Sequence, residues 1–262
     1  MARVLVAIPA IVVAVLAISA GGPWFALAAA ALGIVALHEL YTLMGSVRPI
    51  KLAGFLTLIA LAATALYGRP GQLVLVLAAS FPLTFLLALP RPRREDVSWA
   101  IAATMFGVLW IGLAVTHAVM LRELPHGGAL LIDVLVGTFV GDTCAYAAGR
   151  AWGTRPLAPL ISPNKTLEGL LAGLLGGTFA FWAFAFAYQH EWFPGTDALL
   201  IGLAVALTAP VGDLFESLIK RDLEAKDSGR FFGAHGGVLD RLDAVLFTVP
   251  VAYYAAVGLG YA

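Results

Sequence analysis

The stretch of sequence that decides the fold is DALLIGLAVALTAPVGDLFESLI, residues 197–219. It is long and apolar enough for a membrane helix, because about 20 such residues cross the hydrocarbon core of a bilayer. Its second half nevertheless contains Asp213, Glu216 and Ser217, and Lys220 follows directly. The spacing of these four side chains places them on one face of a helix. A polar stripe on a membrane helix indicates that this face meets protein or a water-filled cavity instead of lipid.

The chain as a whole has the composition of a membrane protein. Of its 262 residues, 61% are hydrophobic and 12% are charged, whereas soluble domains carry about 25% charged residues. The formal net charge is zero, so we expect no nucleic-acid partner. Cys144 is the single cysteine, which excludes an intramolecular disulfide.

Nine apolar segments are predicted to cross the membrane as helices, because a backbone in lipid must satisfy its own hydrogen bonds. The first one shares features with a signal peptide, but its apolar run exceeds the usual length of about 7–15 residues. We therefore expect it to be retained as a span. The predicted spans are residues 4–20, 23–44, 51–67, 71–89, 99–121, 128–149, 166–189, 197–219 and 240–258.

Basic residues are distributed unevenly between the loops. If the N-terminus is cytoplasmic, 14 of the 16 lysines and arginines fall on the cytoplasmic side, and Arg69 and Arg122 fall on the other. The positive-inside rule therefore predicts a cytoplasmic N-terminus. The long polar loops 149–165 and 219–240 then face the cytoplasm, where water-soluble substrates can reach them.

A second polar region follows the Asp213 stripe. Asp240 and Asp243 are spaced i, i+3 and are predicted to share a face at the start of the last span, after a glycine-rich loop that contains Lys226 and Asp227. Carboxylates from two helices suit Mg²⁺, and neighbouring lysines and arginines suit phosphate oxygens. These residues predict phosphoryl or nucleotidyl transfer. The alternative is that acids and bases merely pair at helix ends, but burying Asp213 without purpose costs about 2.5–3.5 kcal/mol.

Two blocks of sequence resemble the phosphatidate cytidylyltransferases, also called CDP-diacylglycerol synthases. The downstream block matches that family's signature in register at Ser217, Lys220, Arg221, Lys226, Asp227, His235, Gly236, Gly237, Asp240, Arg241 and Asp243. The upstream block, GDTCAYAAGRAWGTRPLAPLISPNKTLEGLLAG at residues 141–173, matches the family pattern at Asp142, Tyr146, Gly149, Arg150, Gly153, Ser162, Pro163, Lys165, Thr166, Glu168 and Gly169. The resemblance covers roughly residues 99–262, which we take as a catalytic region after the N-terminal helices of residues 1–98.

The resemblance implies an all-α polytopic enzyme of the inner membrane, with its active site facing the cytoplasm. It implies the conversion of CTP and phosphatidate to CDP-diacylglycerol and pyrophosphate, and a homodimer. Mg²⁺ is the expected cofactor, the number of ions being left open, with Asp213 and Asp240 as main ligands and Asp227 and Asp243 as further ligands or supports. The expected phosphate contacts are Lys220, Arg221, Lys226 and Arg241. The expected substrate-binding residues are Asp142, Ser162, Lys165, Thr166, Glu168, Ser217, His235, Gly236 and Gly237.

Two other functions fit part of the pattern. A sister enzyme acting on an archaeal ether lipid or a polyprenol phosphate would look alike, since lipid chains contact only smooth apolar surface. An ion or proton transporter would show inverted repeats and acids at several depths, neither of which appears. Locally, residues 162–169 are predicted to begin a helix that offers backbone N–H groups to an anion. Glu39 is interpreted as snorkelling to the membrane interface, and Asp133 has no assigned role.

Overall fold

Helices dominate the protein, as predicted. The computed structural model describes residues 2–91, 95–229, 231 and 236–262, and the predicted substrate-binding residue His235 lies outside these ranges. The α-helices are α1 (Ala2–Ala20), α2 (Gly22–Leu43), α3 (Lys51–Tyr67), α4 (Pro70–Ala88), α5 (Val97–Gly107), α6 (Leu113–Glu123), α7 (Gly127–Trp152), α8 (Leu167–Gln189), α9 (Gly195–Asp222), α10 (Leu239–Leu242) and α11 (Val245–Gly258). A π-helical turn, Val108–Gly112, joins α5 to α6.

Six helical segments of the described residues are long and apolar enough to cross a membrane. They are Gly22–Leu43, Gly71–Ala88, Val97–Glu123, Gly127–Trp152, Leu167–Gln189 and Gly195–Asp222. Shorter apolar helices occupy Ile11–Ala20 and Lys51–Tyr67. The protein is therefore an all-α, multi-pass membrane protein, with helices within a few residues of each predicted span.

The chain divides into two compact units, each assembled from two separate stretches of sequence. The first unit contains Met1–Glu123 and Ala225–Arg241, and the second contains Leu124–Glu224 and Leu242–Ala262. The predicted site residues are therefore divided between the units, with Asp213 in the second and Asp240 in the first.

Tyr41 is the centre of packing in the first unit. Its ring is fully buried, and its hydroxyl donates to the backbone oxygen of Thr104 at 2.7 Å. A Cβ atom at Gly54 or Gly107 would come within 3 Å of the Tyr41 side chain. Glycine at these two positions therefore lets α3 and α5 close around the aromatic ring.

Glycines bring α7 and α8 close together in the second unit. Gly137 and Gly141 of α7 face Gly173 and Gly177 of α8, and a Cβ at Gly177 would lie 2.8 Å from the backbone oxygen of Gly137. Small residues at four-residue spacing allow such close approach where helices pack within a membrane. The fixed position of α7 against α8 matters for the site, because α7 carries Asp142 and the strand before α8 carries Lys165.

A small β-hairpin precedes α8. Its strands β1 (Pro156–Ala158) and β2 (Ser162–Thr166) are antiparallel, with Ala158 opposite Ser162. The predicted helix start within residues 162–169 is confirmed, although Ser162–Thr166 at its beginning forms a strand. The helix begins at Leu167, and Thr166 caps it by accepting a hydrogen bond on Oγ1 from the Gly169 N–H at 3.1 Å.

The last predicted span is interrupted near its start. Helix α10 ends at Leu242 and α11 begins at Val245, so Asp240 and Asp243 do not lie on one continuous helix as predicted. The Asp243 carboxylate accepts the Ala244 N–H at 2.7 Å. This local hydrogen bond competes with helical bonding at the break.

Replacing Thr166 with alanine is expected to destabilise the protein by about 1 kcal/mol, because the cap of α8 loses its acceptor. Thermal unfolding in detergent would show this as a lower apparent Tm. Thr143→Ala is the matched control, since its exposed hydroxyl only donates to the Phe139 oxygen within its own helix. An equal Tm for the two variants would contradict a capping role for Thr166.

Candidate functional site

Asp213 lies at the centre of a charged cluster in the second unit. Its Oδ2 atom forms an ion pair with Lys165 Nζ at 2.5 Å, and its Oδ1 atom accepts from the Ser217 hydroxyl at 3.3 Å. Helix α9 supplies Asp213 and Ser217, and strand β2 supplies Lys165. The structure therefore joins the two blocks of sequence that were singled out separately.

Two more carboxylates interact with this centre. Asp142 of α7 interacts electrostatically with Asp213 and Lys165, and Asp243 interacts with Asp213, Asp142 and Lys220. Gly212 makes room for this approach, because a Cβ there would lie 2.5 Å from the Asp243 backbone oxygen. Like charges held close together cost free energy that a bound cation would recover.

The rest of the α9 stripe is also paired. Lys220 Nζ lies 2.9 Å from Glu216 Oε2, and the Glu216 side chain is almost fully buried. Arg221 Nε donates to the backbone oxygen of Ile161 at 3.3 Å, which connects α9 to the hairpin. We name the second-unit set of Asp142, Lys165, Asp213, Glu216, Ser217, Lys220 and Asp243 the Asp213 cluster.

Glu168 is held in place by hydrogen bonds from the two residues that precede the hairpin. Its carboxylate accepts from the Thr154 hydroxyl at 2.7 Å and from the Thr154 and Arg155 N–H groups at 3.1 and 3.3 Å. These bonds hold the entry of the hairpin against the first turn of α8. Ser162 lies half-buried in β2, opposite Ala158.

The first unit contains a second group, the signature loop, which we define as residues 226–229 and 236–241. Asp240 organises it by accepting from the Ser228 N–H at 2.9 Å, the Ser228 hydroxyl at 2.9 Å and the Gly237 N–H at 2.7 Å, all on Oδ2. Gly236 has a φ of 82°, a conformation that favours glycine. The charged side chains of Lys226, Asp227 and Arg241 are exposed around this framework.

Glu39 belongs to this framework, and the interpretation that it snorkels to the interface is wrong. Its side chain is buried, and it accepts from the backbone N–H groups of Val238 and Leu239 at 3.1 and 2.9 Å. Sequence reasoning missed both this role and Ser228. The available signal was a carboxylate inside an apolar helix, where burial without partners is costly.

Asp133 also has a partner within the second unit. Both of its oxygens accept from Gln189 Nε2 at 2.9 Å, and the Asp133 side chain is fully buried. This pair links α7 to the end of α8. Asp133, which is not one of the predicted site residues, therefore has a structural role in holding α7 against α8.

The side chains of the Asp213 cluster include the carboxylate oxygens that a divalent cation such as Mg²⁺ prefers as ligands. Within the described part of the chain, no three His, Cys, Asp or Glu side chains converge closely enough to hold a metal by themselves. Mg²⁺ does not require three, because it is usually held by one or two carboxylates, waters and substrate phosphates. The carboxylates of the Asp213 cluster therefore fit an ion that enters with a phosphorylated ligand.

A family model for the cytidylyltransferase family matches residues 1–258. The chain belongs to the cytidylyltransferase family. The uncharacterized protein YnbB of Escherichia coli is 37% identical to this chain over 59% of this chain and 53% of its own length. The phosphatidate cytidylyltransferase of Mycobacterium leprae is 35% identical over 63% of this chain and 53% of its own length.

A further relative extends over nearly the whole chain. The phosphatidate cytidylyltransferase of Staphylococcus haemolyticus is 30% identical over 95% of this chain and 96% of its own. With the E. coli and M. leprae relatives, by contrast, the chain spans about half of the relative's length. The matches to the E. coli and M. leprae relatives thus cover only part of both chains, whereas the cytidylyltransferase family model covers α1 to α11.

Proposed function

We propose that the protein transfers the cytidylyl group of CTP to phosphatidate, giving CDP-diacylglycerol and pyrophosphate. The observation that carries the proposal is the Lys165–Asp213 ion pair, which brings the two family motif blocks into one charged cluster. The relatives named phosphatidate cytidylyltransferase support the same reaction. The lipid bilayer and the two substrates are then the partners, and the resemblance adds a homodimer.

The chemistry is an in-line displacement at the α-phosphorus of CTP. A phosphate oxygen of phosphatidate forms the new P–O bond, the bond from the α-phosphorus to the bridging oxygen breaks, and pyrophosphate leaves with that electron pair. No general base is needed because the attacking phosphate is already an anion. Catalysis then depends on positioning and on neutralising charge.

Magnesium is the proposed cofactor, and it would neutralise charge on the phosphates and on the leaving pyrophosphate. The Asp213 cluster supports ligands at Asp213 and Asp243, where neighbouring carboxylates repel one another. The family resemblance adds Asp240 and Asp227 of the signature loop as predicted ligands. For Asp240, the hydrogen bonds that concentrate on Oδ2 hold the carboxylate in one orientation.

Cationic side chains are proposed to hold the substrate phosphates. Lys165 and Lys220 each lie beside a carboxylate of the Asp213 cluster, so an incoming phosphate would compete for them. Lys226 and Arg241 are exposed on the signature loop, and Arg221 lies on α9. The remaining proposed substrate contacts are Asp142, Ser162, Thr166, Glu168, Ser217, His235, Gly236 and Gly237.

The proposed topology has nine spans in the inner membrane, with the N-terminus and the active site facing the cytoplasm. The distribution of basic residues supports this orientation. Residues 1–98 then form N-terminal helices, and residues 99–262 form the catalytic region. Phosphatidate would enter from the inner leaflet, and CTP would arrive from the cytosol.

The reaction is tested with purified protein in phosphatidate-containing vesicles, Mg²⁺ and CTP labelled at either the α- or the γ-phosphorus. We expect α-label to enter the lipid fraction, γ-label to appear in pyrophosphate, and EDTA to stop both until excess Mg²⁺ is added. Transfer of γ-label to lipid would instead indicate a kinase.

Parallel vesicles with an ether-linked phosphatidate analogue or a polyprenyl phosphate test the alternative lipids. If folded protein labels the ether-linked analogue or the polyprenyl phosphate but not phosphatidate, the assignment of phosphatidate as substrate is overturned. Transfer to phosphatidate that persists in EDTA would contradict the magnesium proposal and leave the reaction intact.

A further inference from the structure

A carboxylate from α2 is buried inside the first unit against the signature loop. Glu39 is only 6% exposed. Its Oε1 atom accepts the Val238 N–H at 3.1 Å, and its Oε2 atom accepts the Leu239 N–H at 2.9 Å. Each oxygen therefore receives a backbone donor at the start of α10, where helix N–H groups lack intrahelical partners.

The loop backbone is shaped around this carboxylate. A Cβ on Gly237 would lie 2.3 Å from Glu39 Oε2, and a Cβ on Gly229 would lie 2.5 Å from Glu39 Oε1. No side chain fits at either position while Glu39 keeps its place. The two glycines and the glutamate are thus one packing arrangement, contributed by parts of the chain almost 200 residues apart.

Ser228 connects Glu39 to Asp240. Its hydroxyl lies 2.9 Å from Asp240 Oδ2 and 3.4 Å from Glu39 Oε2. Gly237 also lies beside both acids, since its N–H donates to Asp240 and an added Cβ would collide with Glu39. Displacement of Glu39 would therefore alter the surroundings of Asp240 through two neighbouring residues.

From these contacts we infer that Glu39 is a positioning residue that fixes the backbone of the signature loop and, through Ser228 and Gly237, the orientation of the Asp240 carboxylate. The inference rests on the proposed function for its catalytic meaning. We assign Glu39 a supporting role and not a metal contact, because a backbone N–H donates to each of its oxygens. Glutamine cannot replace it, since an amide has one acceptor oxygen and would set its NH₂ group against a backbone N–H.

The first test measures hydrogen–deuterium exchange in peptides that cover residues 236–242, in the full-length protein in detergent. We expect slow exchange in the wild type and clearly faster exchange in Glu39→Gln. The matched control is Glu123→Gln, whose exposed carboxylate lies at the end of α6. Unchanged exchange in Glu39→Gln would overturn the positioning role, whatever the enzyme's activity.

The second test measures the Mg²⁺ dependence of cytidylyl transfer. Misplacing a residue that supports a metal ligand costs about 10–100-fold in affinity or activity. We expect a loss of that size in Glu39→Gln, with the half-saturating Mg²⁺ concentration raised. If activity falls but the half-saturating Mg²⁺ concentration stays unchanged, Glu39 has only a structural role and the positioning of Asp240 is contradicted.

Ser228→Ala removes the connecting hydroxyl and leaves the Glu39 carboxylate buried, so it tests the connection even if Glu39→Gln fails to fold. It should raise the Mg²⁺ requirement in the same direction. With folded Glu39→Gln, the double variant should be less than additive. Additive effects would contradict the connection. Fast exchange in Glu39→Gln together with an inactive wild type would instead count against the proposed function alone.

Discussion

Asp213→Asn is expected to reduce cytidylyl transfer by about 10²–10³-fold, the cost of removing one well-placed electrostatic group from an active site. The substitution preserves the shape of the side chain and keeps an acceptor for the Ser217 hydroxyl. It removes the negative charge that pairs with Lys165 and that would attract Mg²⁺. The labelled-CTP assay at saturating Mg²⁺ measures the loss.

Asp222→Asn is the matched control for this prediction. Asp222 is the last residue of α9, the helix that carries Asp213, and its side chain is exposed. The control should retain near wild-type activity, because Asp222 lies nine residues beyond Asp213 on α9, about 13 Å along the helix. An exposed charge at that distance from Asp213 is largely screened by salt. Full activity in a folded Asp213→Asn protein would remove Asp213 from the proposed metal site.

Gly177→Leu is expected to destabilise the protein by about 3 kcal/mol, which corresponds to an apparent Tm lower by about 6–12 °C. Even a Cβ at this position would meet the Gly137 backbone oxygen at 2.8 Å and the Ala206 Cβ at 3.4 Å. A leucine therefore forces α8 away from α7 and α9. Tryptophan fluorescence during heating in detergent reports the transition.

Gly71→Leu is the control for the glycine packing. Gly71 lies in the first turn of α4, and a Cβ there would meet no atom within 4 Å. Leucine should be neutral or slightly stabilising, because it is a better helix former than glycine. If Gly71→Leu lowers the Tm as much as Gly177→Leu does, the destabilisation at position 177 does not arise from close packing of α8 against α7.

The helices were predictable from the sequence, whereas several details of the site were not. Hydropathy predicts the spans because lipid leaves the backbone few alternatives to a helix. The polar face of α9 followed from spacing alone, and Ser217 indeed contacts Asp213. The residues of the β-hairpin, by contrast, lack the alternation of polar and apolar residues that marks a strand.

Two features depend on contacts that no local pattern encodes. The break between α10 and α11 at Asp243 has neither glycine nor proline to mark it, and the Asp243 carboxylate bonds to its own neighbour's N–H there. Glu39 looked like an interfacial residue because its donors lie 199 and 200 positions further along the chain. Partners that distant become visible only when the chain is folded.

The separation between Glu39 and its donors has a consequence for biosynthesis. At 5–20 residues per second, about 10–40 s pass between synthesis of Glu39 and synthesis of Val238 and Leu239. During that interval α2 must enter the membrane with a carboxylate whose eventual amide partners do not yet exist. The loop that carries Asp240 can reach its final structure only after Val238 and Leu239 have been synthesised. A nascent chain truncated before residue 238 would contain Asp213 and Lys165, yet it would lack the backbone donors that keep Glu39 in place.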